Sequence, residues 1–159
     1  MTPEKIKAIR QKLGDTRAEL LALAHELTEE QWEHSAFSEG SEWRVVDVFR
    51  HIADSERGMT NLMIQVKQGG EGVPADFDLH RWNRRAVSKL QDKTPEELLE
   101  GMHTSRQALW ALIDTLEPDD WEKKGRHASL RIMTIEEICH LIADHELNHA
   151  NGIREAMAG

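Results

Sequence analysis

The chain has 159 residues, enough for one compact domain spanning residues 1–159 and too few for two. Hydrophobic residues make up 39% and charged residues 31%, which is typical of a folded globular protein and not of a disordered one. The 29 acidic and 20 basic side chains give a net charge of −9, which argues against a surface built to bind nucleic acid. No apolar stretch is long enough to cross a membrane, so we expect a cytoplasmic protein.

Hydrophobic spacing predicts helices along almost the whole chain and predicts no strands. Capping residues, Pro or Gly mark most of the boundaries. The expected helices begin at Thr2, at Thr28 in a short turn carrying Trp32, near Trp43 after a polar loop containing Gly40, at Leu79, at Thr94 and at Thr134. The third is expected to run to about Gln68, the fifth to about Leu116, and Gly69 to Pro74 form the longest loop. Four principal helices with short additional ones predict an all-α, four-helix bundle.

A faint internal repeat relates the two halves of the chain. The segment from Leu27 to Glu33 resembles the segment from Leu116 to Glu122, and His51 to Glu56 aligns with Leu141 to Glu146. Chance similarity between two amphipathic helices with similar caps is an equally good explanation. If the repeat is real, the second and fourth principal helices occupy equivalent, facing positions.

Two histidines occupy consecutive positions on the apolar stripe of the last helix. The stripe continues through Ile138 and Ile142 to His145 and His149, where Leu or Ile would be expected. Spacing of four residues places both imidazoles on one helix face, one turn apart. Because an unpartnered buried imidazole is costly, a shared ligand is indicated, and a metal ion is the best candidate.

A third ligand must come from another helix, and His51 is the strongest candidate. It lies on a stripe where Ser55 and Gly58 leave room beside it. A buried, hydrogen-bonded histidine is the alternative explanation for His51 alone. His140 is rotated off the face of the pair and is assigned a supporting or packing role, and the remaining histidines are expected to face solvent: His25, His34, His80, His103 and His127.

Acidic residues beside the histidines are candidates for proton transfer or for hydrogen bonding to the ligands. Asp54, Asp144 and Glu146 are the candidates for moving protons, and Glu56 is a further possible hydrogen-bond partner. Cys139, the single cysteine, excludes an internal disulfide and lies in an apolar run that predicts a small core residue.

Three segments resemble the DinB-like (YfiT-like) proteins, a family of metal-binding four-helix bundles. The segment from Trp43 to Ala53 is similar to their second helix, and His140 to His149 is similar to their last helix. Phe77 to Asn83 is similar to a segment between them in one branch of the family. The likeness follows the same order along nearly the whole chain.

This resemblance implies an up-down-down-up bundle that holds one divalent metal through three histidines, which map onto His51, His145 and His149. It also implies a homodimer. Relatives include transferases and isomerases that use low-molecular-weight thiols such as bacillithiol, mycothiol or glutathione. Zinc or nickel is expected, and iron or manganese is also compatible with imidazole ligands.

The leading functional hypothesis is therefore a metal-dependent thiol S-transferase acting on a small electrophile. A metal-dependent hydrolase would use the same ligands. A noncatalytic, metal-stabilised bundle that serves as a stress-response or protein-binding module is the alternative from a different class.

Overall fold

A computed structural model describes residues 1–38 and 41–159 of the chain. The helices are α1 (Pro3–Glu26), α2 (Glu29–Trp32), α3 (Val45–Lys67), α4 (Leu79–Lys89), α5 (Pro95–Thr115), a 3-10 helix (Pro118–Glu122) and α6 (Ile135–Ala158). The strands are β1 (Ser35–Ser38), β2 (Ser41–Arg44), β3 (Lys124–Arg126) and β4 (Ile132–Thr134). Gly40, placed in a predicted loop, lies outside the described residues.

The helix starts lie where the capping residues predict them. In α2, α5 and α6 the threonine before the helix accepts a hydrogen bond from a backbone N–H in the first turn. A Gln or Glu side chain in that turn accepts a bond from the threonine's own backbone N–H, which completes a capping box. Local sequence therefore determines these helix starts.

Contacts along α1 give its direction relative to two neighbours. Lys12 bonds Asp144 at 2.9 Å and Arg154 bonds Glu19 at 3.0 Å, so α1 and α6 are parallel. Arg10 pairs with Asp114 near the end of α5, whereas Arg17 donates to the carbonyl of Met102 in its first half. Helices α1 and α5 are therefore antiparallel.

Contacts along α3 complete the bundle. Glu56 pairs with Arg106 and Lys67 bonds Thr115, so α3 and α5 are parallel. The His51 ring lies beside His145, whereas Met63 further along α3 contacts Cys139 earlier in α6. Because α3 and α6 are antiparallel, the four helices form the expected up-down-down-up bundle. No helix in the described ranges is both long and apolar enough to cross a membrane.

A layer of charged side chains crosses the middle of the bundle and divides its core into two apolar clusters. Arg17, Glu56, Arg106 and Glu146 are each at most 8% exposed. On one side of the layer, each of the four long helices contributes a residue one turn away to the first cluster: Leu13 of α1, Met59 of α3, Leu109 of α5 and Ala143 of α6. On the other side of the layer, the residues one turn away belong to the second cluster: Leu20, Ile52, Met102 and Ala150.

Hydrogen bonds satisfy both carboxylates of this layer. Glu56 accepts from the Arg106 guanidinium at 2.6 and 2.9 Å and from Arg17 at 3.1 Å. Glu146 accepts from Arg17, from Arg106 at 3.1 Å and from the Thr16 hydroxyl at 2.9 Å. Burial alone would lower the pKa of Arg17, but attraction to Glu56 and Glu146 outweighs it and raises that pKa. Arg17 therefore stays charged in the layer.

Two short antiparallel hairpins contradict the prediction that the chain has no strands. The β1–β2 hairpin pairs Ala36 with Trp43, and the β3–β4 hairpin pairs Gly125 with Met133. Strands of three or four residues are too short to show an alternating pattern, and their pairing depends on tertiary contacts. Each hairpin leads directly into a long helix, α3 or α6.

The long loop after α3 is attached to β3. The Arg126 N–H donates to the Glu71 carbonyl at 2.8 Å, and the Val73 N–H donates to the Arg126 carbonyl at 2.9 Å. Gly72 between them has φ +94°, and a Cβ there would lie 2.3 Å from the Arg126 backbone. Only glycine permits both this backbone conformation and this close approach. The attachment holds the loop over one side of the bundle.

Replacing Arg106 with leucine should destabilise the fold strongly. The substitution leaves Glu56 and Glu146 with one guanidinium between them, and breaking a buried ion pair costs about 3–5 kcal/mol. Urea unfolding of Arg106→Leu measures this loss. The control is Arg10→Leu, which removes an exposed pair with Asp114 and should cost less than about 1 kcal/mol. Similar losses for both variants would show that the charged layer has no special role.

Cys139 should not react with thiol reagents in the native protein. Its side chain is fully buried against Met63, and burial raises its pKa to about 12. We expect one thiol per chain to react with Ellman's reagent in denaturant and none without it. Rapid reaction of the native protein would show that this region of α6 opens readily.

Candidate metal centre and pocket

The three histidines singled out in the sequence converge between α3 and α6. The Nε2 atom of His145 lies 3.0 Å from Nε2 of His51 and 3.0 Å from Nε2 of His149. One ligand nitrogen from each ring lies within 4.8 Å of both others. His51 is 2% and His149 8% exposed, and His145 is half-buried. The three nitrogens thus share a mostly buried point.

The donor set fits a divalent metal. Two imidazole nitrogens that bind one ion at about 2.1 Å are separated by about 3 Å when they subtend about 90°. An Nε2 atom has a single in-plane site, so one proton cannot bridge His145 to both neighbours, whereas a cation can interact with all three lone pairs. These residues can hold a zinc, nickel, iron or manganese ion through nitrogen ligands.

His51 has a second polar contact through its other ring nitrogen. The Ser55 hydroxyl lies 3.4 Å from Nδ1, one helical turn along α3. Metal-binding imidazoles usually donate their second N–H to such an oxygen, which fixes the ring orientation. Sequence reasoning treated Ser55 only as a small residue that leaves room, although its spacing of four from His51 was the available signal.

A cavity of about 350 Å3 opens on the histidine cluster. His51 and His145 line it, and its other walls come from α3, α4, α6, the loop after α3 and the β3–β4 turn. The apolar lining includes Met59, Leu62, Val73, Phe77, Leu79, Trp82 and Leu141. A volume of this size is sufficient for a small organic molecule.

His127 does not face solvent as predicted. It is half-buried and lines the cavity from the β3–β4 turn, together with Ser129 and Arg131. Burial lowers the pKa of His127, and the positive charge of Arg131 lowers it further. The sequence-based prediction failed because the hairpin that carries His127 into the cavity was not recognised.

The carboxylates proposed for proton transfer occupy three different environments. Asp54 lines the cavity and pairs with Arg57 at 2.8 Å. Asp144 is exposed and pairs with Lys12 at 2.9 Å. Glu146 belongs to the charged layer, where a gap of about 10 Å3 lies between that layer and His145. Neither Asp144 nor Glu146 lines the larger cavity among the described residues.

The other histidines lie outside the cluster. His140 is half-buried, and its Nδ1 lies 3.2 Å from the Lys12 ammonium. The remaining four are exposed, as predicted: His25, His34, His80 and His103.

A family model for the DinB superfamily matches residues 12–153 of the sequence. The chain belongs to the DinB superfamily. The match includes all three histidines of the cluster. No curated protein matches the sequence.

Solved structures share the DinB fold with this chain. YfiT from Bacillus subtilis, described as a probable metal-dependent hydrolase with an unusual four-helix bundle topology, has a TM-score of 0.78 at 20% identity, covering 99% of this chain and 89% of YfiT. A mycothiol-dependent maleylpyruvate isomerase has a TM-score of 0.74 at 16% identity, covering 94% of this chain. This chain spans only 59% of that isomerase. The colibactin self-resistance protein ClbS, solved with double-stranded DNA, has a TM-score of 0.75 at 15% identity, covering 97% of this chain and 96% of ClbS.

The His149→Ala variant should lose metal binding. Removing one of three converging nitrogens should weaken binding of Zn2+ or Ni2+ by more than about a hundredfold. Losing only a hydrogen-bond partner of a metal ligand already lowers metal affinity by about ten- to a hundredfold. Titration calorimetry and elemental analysis of untagged protein measure affinity and stoichiometry. The control is His103→Ala, which removes an exposed histidine of α5 and should still bind one ion per chain. Wild-type protein that neither contains nor takes up metal would contradict the assignment.

Proposed function

We propose that this DinB-superfamily protein is a metal-dependent enzyme of the thiol S-transferase type. The observation that carries the proposal is that His51 and His145 line a cavity of about 350 Å3. Structural metal sites are closed by their protein ligands, whereas catalytic ones keep an open position for a reactant. The cavity supplies that opening, and its apolar walls suit a small organic substrate.

A divalent ion held by His51, His145 and His149 would lower the pKa of a thiol or of water that enters this opening. Side chains of the protein would exclude water from the cavity and transfer protons. The apolar side chains that line the cavity exclude water and pack against the substrate. Asp54 has a side chain 12% exposed, lines the cavity and is the carboxylate best placed to accept a proton. We retain Asp144 and Glu146 as weaker candidates, because neither lines the cavity.

The fold shared with a mycothiol-dependent isomerase supports a low-molecular-weight thiol as co-substrate. Bacillithiol, mycothiol and glutathione are the thiols we propose, with zinc or nickel as the metal, or iron or manganese. We also propose a cytoplasmic homodimer. The DNA complex of ClbS does not extend to this proposal, because a net charge of −9 opposes binding to a phosphate backbone.

The second candidate is a metal-dependent hydrolase, favoured by the description of YfiT. It would use the same three histidines and the same cavity, with water in place of the thiol. A noncatalytic bundle is the third candidate, because an ion shared by α3 and α6 would also stabilise the fold.

An electrophile assay separates these three functions. Wild-type protein loaded with Zn2+ or Ni2+ is mixed with 1-chloro-2,4-dinitrobenzene and each thiol in turn, and thioether formation is followed by absorbance. We expect turnover with at least one thiol, and a loss of about a hundredfold or more in His51→Ala or after chelation. The control His103→Ala should keep wild-type activity.

Other outcomes decide against the transferase. Metal-dependent cleavage of p-nitrophenyl acetate without any thiol would favour the hydrolase. No turnover in either assay, with a melting temperature that falls on chelation, would favour the noncatalytic bundle.

A further inference from the structure

The turn between β3 and β4 contributes polar side chains to one wall of the cavity. Residues 127–131 contribute His127, Ser129 and Arg131, and the adjacent wall includes the aromatic residues Phe77 and Trp82. Arg131 is the one lysine or arginine that lines the cavity within the described part of the chain. The cavity's carboxylate, Asp54, already pairs with Arg57 at 2.8 Å. The uncompensated charge on this wall is therefore positive, in a protein whose net charge is −9.

The turn holds Arg131 in place through a closed and strained backbone. The Leu130 N–H donates to the His127 carbonyl at 2.8 Å, and the His127 N–H donates to the Arg131 carbonyl at 2.9 Å. Leu130 has φ +72°, a left-handed conformation that costs a leucine about 1–2 kcal/mol. Strain of this kind is kept where the surrounding structure imposes it, often beside a binding site. The position of Arg131 is thus set by the turn and not by a free loop.

The same turn fixes the tautomer of His127. The backbone N–H of Ser129 donates to His127 Nδ1 at 3.1 Å, so Nδ1 acts as an acceptor and carries no proton. In the neutral ring the proton therefore lies on Nε2, the nitrogen that the turn does not use. His127 brings a fixed N–H donor to the cavity wall that also carries Arg131.

We propose that this turn is the anion-recognition element of the pocket: Arg131, with the Nε2–H of His127, holds a carboxylate of the small organic substrate. The apolar part of that substrate packs against Phe77 and Trp82 on the adjacent wall, whose ring centroids lie 5.6 Å apart. The inference rests on the proposed function, because it takes the cavity as the substrate site. The substrate class is a carboxylate-bearing, partly apolar molecule small enough for about 350 Å3.

A matched pair of unreactive probes tests this assignment. Titration calorimetry compares 3-nitrobenzoate with its methyl ester, which has the same ring without the charge. On metal-loaded wild-type protein, the acid should bind more tightly than the ester. Arg131→Gln should weaken acid binding about tenfold, the lower end for a charge-assisted hydrogen bond, and leave ester binding within about twofold. His127→Phe, which keeps a ring but loses the donor, should also weaken acid binding selectively.

Two controls make the result specific. Arg84→Gln removes the same charge from an exposed position of α4 that does not line the cavity, and it should change neither affinity. Arg131→Lys keeps the charge and should restore most of the preference for the acid. Circular dichroism verifies that each variant is folded, as expected for exposed Arg131.

Several results of these titrations would contradict the proposed role of Arg131 and His127. Equal affinity for acid and ester, equal weakening of both in Arg131→Gln, or no binding of either probe at millimolar concentration would overturn the inference. A preference for the acid that survives Arg131→Gln but disappears with chelator would also overturn it, because the metal would then hold the carboxylate. Acid-selective binding without thiol-dependent turnover would refute the proposed enzyme and leave this inference standing, and turnover without selectivity would do the reverse.

Discussion

The shared ion pairing of Glu56 and Glu146 with Arg17 and Arg106 is the constraint on which the rest of the structure depends. Hydrophobic attraction is non-directional, whereas buried carboxylates must meet their guanidinium partners. The same two arginines bind Glu56 on α3 and Glu146 on α6, so they fix the register of these antiparallel helices. Because His145 precedes Glu146 directly, and His51 lies just over one turn before Glu56, that register also places the imidazoles opposite each other.

The two halves of the chain supply this layer in equivalent ways and the metal site in different ways. Both halves run from a long helix through a short helical turn with a buried tryptophan and a hairpin to a second long helix. Arg17 and Arg106 precede those tryptophans by the same number of residues, and Glu56 aligns with Glu146. In the same alignment His51, Ser55 and Met59 of α3 correspond to Leu141, His145 and His149 of α6. The cluster therefore forms where the two halves differ, because each ligand on one helix aligns with a non-ligand on the other.

The sequence predicts those features of the structure that are determined by residues close together in the chain. Capping boxes at Thr28, Thr94 and Thr134 act within one helical turn, so the helix starts could be read directly. His145 and His149 could be found because they interrupt an apolar stripe. The charged layer also interrupts an apolar stripe, because Arg17 lies between Leu13 and Leu20 of α1. The carboxylates that pair with Arg17 lie on other helices, so the sequence alone does not identify them. The hairpins, and with them the position of His127, depend on tertiary contacts that no local pattern encodes.

The metal ligands and much of the cavity wall are built on different parts of the fold. The histidines lie on long helices that the charged layer locks together, whereas much of the wall comes from the loop after α3 and the β3–β4 turn. These two segments are joined at Gly72 and Arg126, where a side chain larger than hydrogen has no space. A change in either segment can therefore reshape the wall without moving the histidines.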